Sequence, residues 1–325
     1  MNLTTEKLTK ILKGVLIKNK KLKIDSISDI YNIKEHSLYF ILNKKHKNKI
    51  QKIKHSTIIV DDKILSELNK KNNYIVVENI YASLITVLEY TSEKENKKGI
   101  DKSCKIHSSA SIHKNIYIGY NTSIGSKSKI ESKVQIKENC IIGKNVKIGE
   151  NCIIYPGVVI YDNTQIGENC TIHSGAIIGS DGFGFLPNKN KYKKIPQNGN
   201  VVIQNNVEIG ANTTIDRGTI GSTKISEGVK LDNLIHIAHN VIIGKNTVIA
   251  AQTGIAGSTK IGENCMIGGQ VGIVGHIEIA DNVKIAAQSG VSKSIFKKGL
   301  IVQGSPAFEI KKYNKAYVNF KNNSN

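Results

Sequence analysis

The sequence predicts a parallel β-helix preceded by a small α/β domain and followed by a short helical tail. Isoleucine recurs every sixth residue at thirteen consecutive positions from Ile106 to Ile178, and an aliphatic residue does so at twelve more, from Ile225 through Leu231 to Val291. A period of six belongs to neither an α-helix nor an open sheet; it is the signature of hexapeptide repeats. Each unit reads aliphatic, small or Gly, polar, polar or Asn, small, anything, as in Ile142-Gly143-Lys144-Asn145-Val146-Lys147. Three such units close a triangular coil, so residues 18 apart stack at the interstrand spacing of about 4.8 Å. The anchor and the small residue four places on face inward, while Gly and Asn take corners where φ > 0 is cheap. A run of antiparallel hairpins would instead need period-two alternation and turn pairs at irregular spacing.

The elements follow in order. Residues 1–100 lack the six-residue rhythm; Thr57-Ile58-Ile59-Val60 and Tyr74-Ile75-Val76-Val77 read as buried strands, Lys63 to Leu68 as a helical turn and Tyr81 to Tyr90 as a closing helix. The polar segment Thr91 to Gly99 reads as a linker. The repeat region spans 101–305 and is broken at 179–202, because Ile178 and Ile203 are 25 residues apart and the surplus must leave the coil. That excursion, with Ser180-Asp181-Gly182-Phe183-Gly184-Phe185, carries two aromatic residues and is expected on the binding face. A smaller slip separates Ile215 from Ile225. Residues 306–325 hold Tyr313, Tyr317 and Phe320 at helical spacing, expected as a helix capping the last open rung.

Composition narrows the function. The net charge of +20 is almost wholly lysine, with Arg217 the single arginine. The lysines do not cluster with stacking aromatics in a nucleic-acid fold, so no nucleic-acid partner is expected. An acidic protein partner would gain from such a surface through steering. The five cysteines Cys104, Cys140, Cys152, Cys170 and Cys265 each stand four places after an anchor, in the small inward slot, and read as reduced core residues. No run of eighteen apolar residues exists to span a membrane, and the N-terminus lacks the pattern of an export signal, so a cytoplasmic protein without stable membrane insertion is expected.

Of the nine histidines, register singles out two. His239, Gly257 and Gly275 occupy the same corner position on three successive coils, and His276 follows directly. The outer two coils are separated by roughly 10 Å, which makes a groove with a base at one end and exposed backbone between. Asp232, on the preceding face of the coil that holds His239, is placed to accept a hydrogen bond from that imidazole and fix its tautomer. The competing chemistry, a metal held by histidines, finds no Cys/His or His/carboxylate cluster at ligand spacing, so neither metal nor cofactor is expected.

Taken together in chain order, the motifs Ser180-Asp181-Gly182-Phe183-Gly184-Phe185, Lys194-Ile195-Pro196-Gln197, Thr214-Ile215-Asp216-Arg217-Gly218, Asp232-Asn233, Ile237-Ala238-His239-Asn240-Val241, Cys265-Met266-Ile267-Gly268-Gly269 and Gly275-His276 resemble the UDP-3-O-(3-hydroxyacyl)glucosamine N-acyltransferases of lipid A biosynthesis. The resemblance covers essentially the whole chain. It implies a homotrimer of left-handed parallel β-helices with active sites between neighbouring subunits. His239 would be the general base, Asp232 would orient it, His276 would contribute polar contacts, and the Gly257 N–H would stabilise the oxyanion.

The implied substrates are a UDP-sugar and a (R)-3-hydroxyacyl chain carried by acyl carrier protein. In the N-terminal domain, Phe40 and Asn43 match the uracil-binding pattern of the family, and His46 stands where Tyr is more usual. Asp181, Phe183 and Phe185 belong to the substrate-binding loop the resemblance implies. The related O-acyltransferases share the repeat but lack both the N-terminal domain and this loop; a non-catalytic scaffold would lack the stacked His/Gly corner.

Overall fold

The structure, a computed structural model, describes residues 3–18, 22–42, 47–61, 71–92, 97–304 and 310–323. Asn43, His46 and the helical turn expected at Lys63–Leu68 lie outside the described residues. The chain divides into two compact units, Met1–Asn96 and Lys97–Asn325.

The first unit is built on a five-stranded sheet. Its strands run in the order Val15–Ile17, Asn73–Val76, Thr57–Val60, Ser37–Phe40 and Ser26–Ile27. Only the first pair is antiparallel. Both faces are buried: Leu38, Ile59 and Ile75 meet Leu8 and Val87 on one side, while Tyr39, Ile58 and Tyr74 pack with Ile41 and Ile53 on the other. Two-sided burial is why these strands read as unbroken apolar runs instead of alternating. The helices Thr5–Leu12 and Ile80–Thr91 start at Thr4 and Asn79, whose side chains accept from the N–H groups of Lys7 and Ala82 and so satisfy donors that the first turn leaves open. The two predicted strands and the closing helix are present, with the second strand one residue earlier than expected.

The second unit is a left-handed parallel β-helix of three sheets with nine, eleven and ten strands. The register is the predicted one: Ile118 pairs with Ile136, Ile136 with Ile154 and Ile154 with Ile172. The repeat starts one unit early, since Ile100 pairs with Ile118. Anchor isoleucines from Ile118 onward are buried almost completely, and each contributes roughly 1.5–3 kcal/mol.

Three details explain the hexapeptide. The residue three places after the anchor holds the left-handed conformation, as at Asn121, Asn145 and Asn264 with φ of 55°, 59° and 55°, which Asn tolerates better than most side chains. The glycine one place after the anchor faces the next coil: a Cβ on Gly125 would lie 2.6 Å from the Gly143 carbonyl oxygen. The inward slot four places on takes small apolar residues such as Val, or Thr, Ser and Cys, whose hydroxyl or thiol can bridge coils. Thr247 donates to the Gly262 carbonyl at 2.8 Å and accepts from the Cys265 N–H at 3.0 Å, and the Cys265 thiol donates to the Ala280 carbonyl at 3.2 Å. Cys140, Cys152, Cys170 and Cys265 are buried and unbridged, as read from the sequence, and Cys104 is half-buried.

The interruption is an antiparallel hairpin, Phe185–Asn188 against Lys191–Lys194. Beyond it the coil resumes with Ile166 on Ile203, a separation of 37, and after the smaller slip Ile215 meets Ile237, a separation of 22. The insertions are therefore 19 and 4 residues over the regular 18. In the tail the helix Ile310–Asn322 is present. Tyr317 and Phe320 are 55% and 71% exposed, so they do not seal the last rung as expected; Ile295 and Val302 pack against the core there.

Candidate active site

The site forms where the 22-residue register brings the strands Thr214–Asp216 and His236–Ile237 together beneath the loop that leads into the hairpin. His239 follows the anchor Ile237 by two places, half-buried at the corner, with its imidazole against the next coil. A Cβ on Gly257 would fall 2.6 Å from both Cε1 and Nε2 of that ring, and a Cβ on Gly182 would fall 2.7 Å from the His239 Cβ. Two glycines from distant segments thus clear the space the His239 side chain occupies. Its Nδ1 lies 3.2 Å from Asn240 Oδ1 and 3.5 Å from Thr219 Oγ1. Thr219 in turn donates to the buried Gln197 at 2.8 Å.

The stacked corner is present. The Gly275 Cβ position lies 3.0 Å from the Gly257 carbonyl oxygen, and the His276 N–H donates to that oxygen at 3.0 Å. His276 itself is exposed and holds φ of 62°. The Gly257 N–H donates to no protein acceptor among the described residues.

The expected Asp232–His239 hydrogen bond is not formed. Asp232 accepts from the backbone N–H groups of Asn233 at 2.8 Å and Ala251 at 3.1 Å. It lines a separate groove of about 940 Å³ with His173, Lys230 and Met266. One place after an anchor on a different sheet, it points out of a different face of the triangular coil.

The carboxylate on the strand paired with the one that leads into His239 is Asp216, which is 5% exposed. It accepts from the Ser180 hydroxyl at 3.0 Å and lies 3.6 Å from His236 Nε2, while His236 Nδ1 is 2.9 Å from Thr214 Oγ1. Burial pushes its carboxyl above the usual carboxylate range; His236, the Ser180 hydrogen bond and His239 act in the opposite direction. Neither Asp216 nor His236 stood out in the sequence, because the four-residue slip between Ile215 and Ile225 hides their stacking from 18-residue arithmetic.

Of the loop residues, Phe183 is 83% exposed and packs edge-on to Phe185, with ring centroids 5.1 Å apart. Phe183 lines a groove of about 760 Å³ with His236, His239, Gly254, Gly257 and Gly272. Asp181 is paired with Lys194 across the base of the hairpin. In the first unit, Phe40 is half-buried, with its ring packed against the core residues of the helix-covered face. No group of three or more His, Cys, Asp or Glu residues able to hold a metal occurs among the described residues.

The arrangement brings together an imidazole, a groove and a backbone N–H that donates to no protein acceptor among the described residues, groups whose chemistry suits acyl transfer. Residues 222–257 and 258–293 match the family described as bacterial transferase hexapeptide (six repeats), and residues 100–182 match one described as GMPPB C-terminal domain. The UDP-3-O-acylglucosamine N-acyltransferase of Christiangramia forsetii is 49% identical over 324 residues, covering 99% of this chain and 95% of that protein. The protein of the same name from Acinetobacter baumannii (strain AB0057) is 43% identical over 316 residues, covering 97% and 89%. Among solved structures, a UDP-N-acetylglucosamine O-acyltransferase from Moraxella catarrhalis aligns with a TM-score of 0.50 and 27% identity over 67% of this chain and 77% of its own. An Arabidopsis UDP-N-acetylglucosamine acyltransferase shares the fold, with a TM-score of 0.57 and 23% identity over 67% of this chain and 76% of its own.

Proposed function

The chain belongs to the UDP-3-O-acylglucosamine N-acyltransferases, and from that premise we propose that it moves a (R)-3-hydroxyacyl chain from acyl carrier protein to the 2-amine of UDP-3-O-(3-hydroxyacyl)-glucosamine in lipid A biosynthesis, with His239 as general base. The observation that carries the mechanism is the His239 imidazole lying against the Gly257 backbone at the edge of an open groove.

The amine nitrogen attacks the thioester carbonyl carbon as His239 takes its proton. An imidazole is suited to this, since its ordinary pKa of about 6.5 lets it be neutral yet basic near pH 7. The carbonyl oxygen gathers negative charge and is met by the Gly257 N–H, a contact on the order of 3 kcal/mol in the transition state. The C–S bond then breaks, and the proton held by His239 passes to the departing thiolate. His276, anchored to the Gly257 carbonyl, gives polar contacts to the substrate at the same corner. Asp181, Phe183 and Phe185 close over the sugar and acyl chain, and the N-terminal unit holds uracil through Phe40, Asn43 and His46.

We further infer a cytoplasmic homotrimer. The His239 groove is lined by one sheet and Phe183, and a neighbouring subunit would supply its outer wall. The second groove, with Asp232 on its rim, is the face such a neighbour would present. An acidic carrier protein suits the lysine-rich surface. The O-acyltransferase reading is disfavoured because the N-acyltransferases match 97–99% of the chain, whereas the Moraxella catarrhalis O-acyltransferase matches 67% at 27% identity.

The test is transfer by purified protein from a 3-hydroxyacyl carrier protein to the amino sugar nucleotide, followed by mass spectrometry. His239→Ala is expected to lower turnover about a hundredfold or more; full activity in that variant would reject His239 as the base.

A further inference from the structure

Asp216 is a buried carboxylate that the mechanism above does not use. It sits in the strand directly beneath the one that leads into His239, with Thr214 in register with His236 and Ile215 with Ile237. Its position one place after the anchor faces outward, toward the side where His236 and the hairpin-bearing loop lie. There it is sealed at 5% exposure, held by the Ser180 hydroxyl at 3.0 Å and faced by His236 Nε2 at 3.6 Å. The other charged or titratable groups around it are Asp181, paired with Lys194 on the loop, and His239 itself. Arg217, the next residue, turns away: its Nε donates to the Gly179 carbonyl and its guanidinium lies over Tyr161. His276 is on the corner two coils beyond His239.

A carboxylate with only one acceptor contact filled by a neutral donor, and with the sole neighbouring arginine engaged elsewhere, is a costly thing to bury. Facing it are the His236 imidazole at 3.6 Å and, just past the strand paired with its own, the residue pair Ala238-His239. Resting on the assignment of His239 as base, we propose that Asp216 is the positioning residue that supports it: Asp216 acts through its charge to stabilise the imidazolium formed when the amine proton is taken, and His236 holds the carboxylate in place from its other oxygen. This assigns to Asp216 the part that register arithmetic alone gives to Asp232. Asp216 does not touch substrate in this scheme and exchanges no proton.

The experiment measures kcat and KM against pH for the wild type, Asp216→Asn, Asp216→Glu, His236→Gln and His239→Ala as full-length proteins. Removing a negative charge near a base that must be neutral moves the acid limb of kcat to lower pH and weakens the base. Asp216→Asn is therefore expected to lower kcat about tenfold or more, shift the acid limb down by about half a pH unit or more, and leave KM within about twofold. Asp216→Glu is expected to recover part of kcat. His236→Gln is expected to lower kcat a few fold in the same direction, and it serves as the folded variant if Asp216→Asn does not fold. An Asn variant with unmoved acid limb and kcat within about threefold of wild type overturns the proposal, as does a His236→Gln variant with unaltered kcat where only that variant folds. A wild type that transfers no acyl chain defeats the functional reading instead, and is separated from this outcome by the first and last arms.

Discussion

The imidazole of His239 lies where a side chain on Gly257 would have to go, with Cε1 and Nε2 each 2.6 Å from the Cβ position. The imidazole and the Gly257 backbone come from successive coils, so their spacing is set by the coil pitch, not by a flexible loop. Gly257 does not sit in the left-handed region, so its requirement for glycine is one of space.

Gly257→Ala should then be an active-site lesion without a folding defect. The added methyl displaces the imidazole, and misplacement of a reacting group by about 1 Å costs up to a hundredfold. Expected are a kcat lower by about tenfold to a hundredfold and a melting temperature within about 2 °C of wild type, measured by steady-state kinetics and calorimetry. Normal turnover would mean the ring has room to spare.

Phe40→Ala should raise the Michaelis constant for the UDP-sugar more than it lowers kcat. The ring is also packed against the helix-covered core of the first unit, so a stability loss of about 1–3 kcal/mol is expected alongside. Nucleotide binding is best measured by calorimetry well below the melting point. An unchanged affinity for the UDP-sugar would remove Phe40 from the uracil site.

Ile154→Ala, deep in the coil and fully buried, should cost about 2–5 kcal/mol, since neighbouring coils cannot close the cavity. Tyr192→Ala at the hairpin, 76% exposed, should stay within about 0.5 kcal/mol. Denaturant midpoints for the two variants check the contrast; equal midpoints would contradict a core built on stacked anchors.

Asp216→Asn should have a pH-dependent effect on stability. Burial holds the Asp216 carboxyl above its usual range in the folded protein, so the folded state binds its proton more tightly than the unfolded chain does. Stability from this group is therefore greatest in acid and falls as pH rises through the folded value. Relative to wild type, the Asn variant should gain melting temperature at pH 7–8, and the gain should shrink toward pH 4. A difference independent of pH would show that the fold leaves the proton affinity of Asp216 unchanged, against the upward shift that burial gives it.

The coil was legible in the sequence because one rule, an inward aliphatic side chain every sixth residue, is imposed by triangular stacking and repeated with little variation. The same rule exposed the cysteines as inward residues and aligned His239 with Gly257 and Gly275. It failed at two kinds of position. Asp232 shares a coil with His239, yet it projects from another face, and spacing along the chain does not say which face an outward residue serves. Asp216 and His236 were missed because their contact depends on a four-residue slip whose location between Ile215 and Ile225 is visible but whose effect on stacking is not. The tail was read as a cap from helical spacing alone, and spacing does not reveal whether an apolar stripe is covered.

After both detours each strand returns to the partner it would have had without them: Ile166 meets Ile203 and Ile215 meets Ile237 as if nothing intervened. Length change is thus absorbed at one edge, and the winding on either side is left undisturbed. The outer part of the hairpin, between Leu186 and Lys193, can therefore vary in length while the stacking of His239 on Gly257 stays constant.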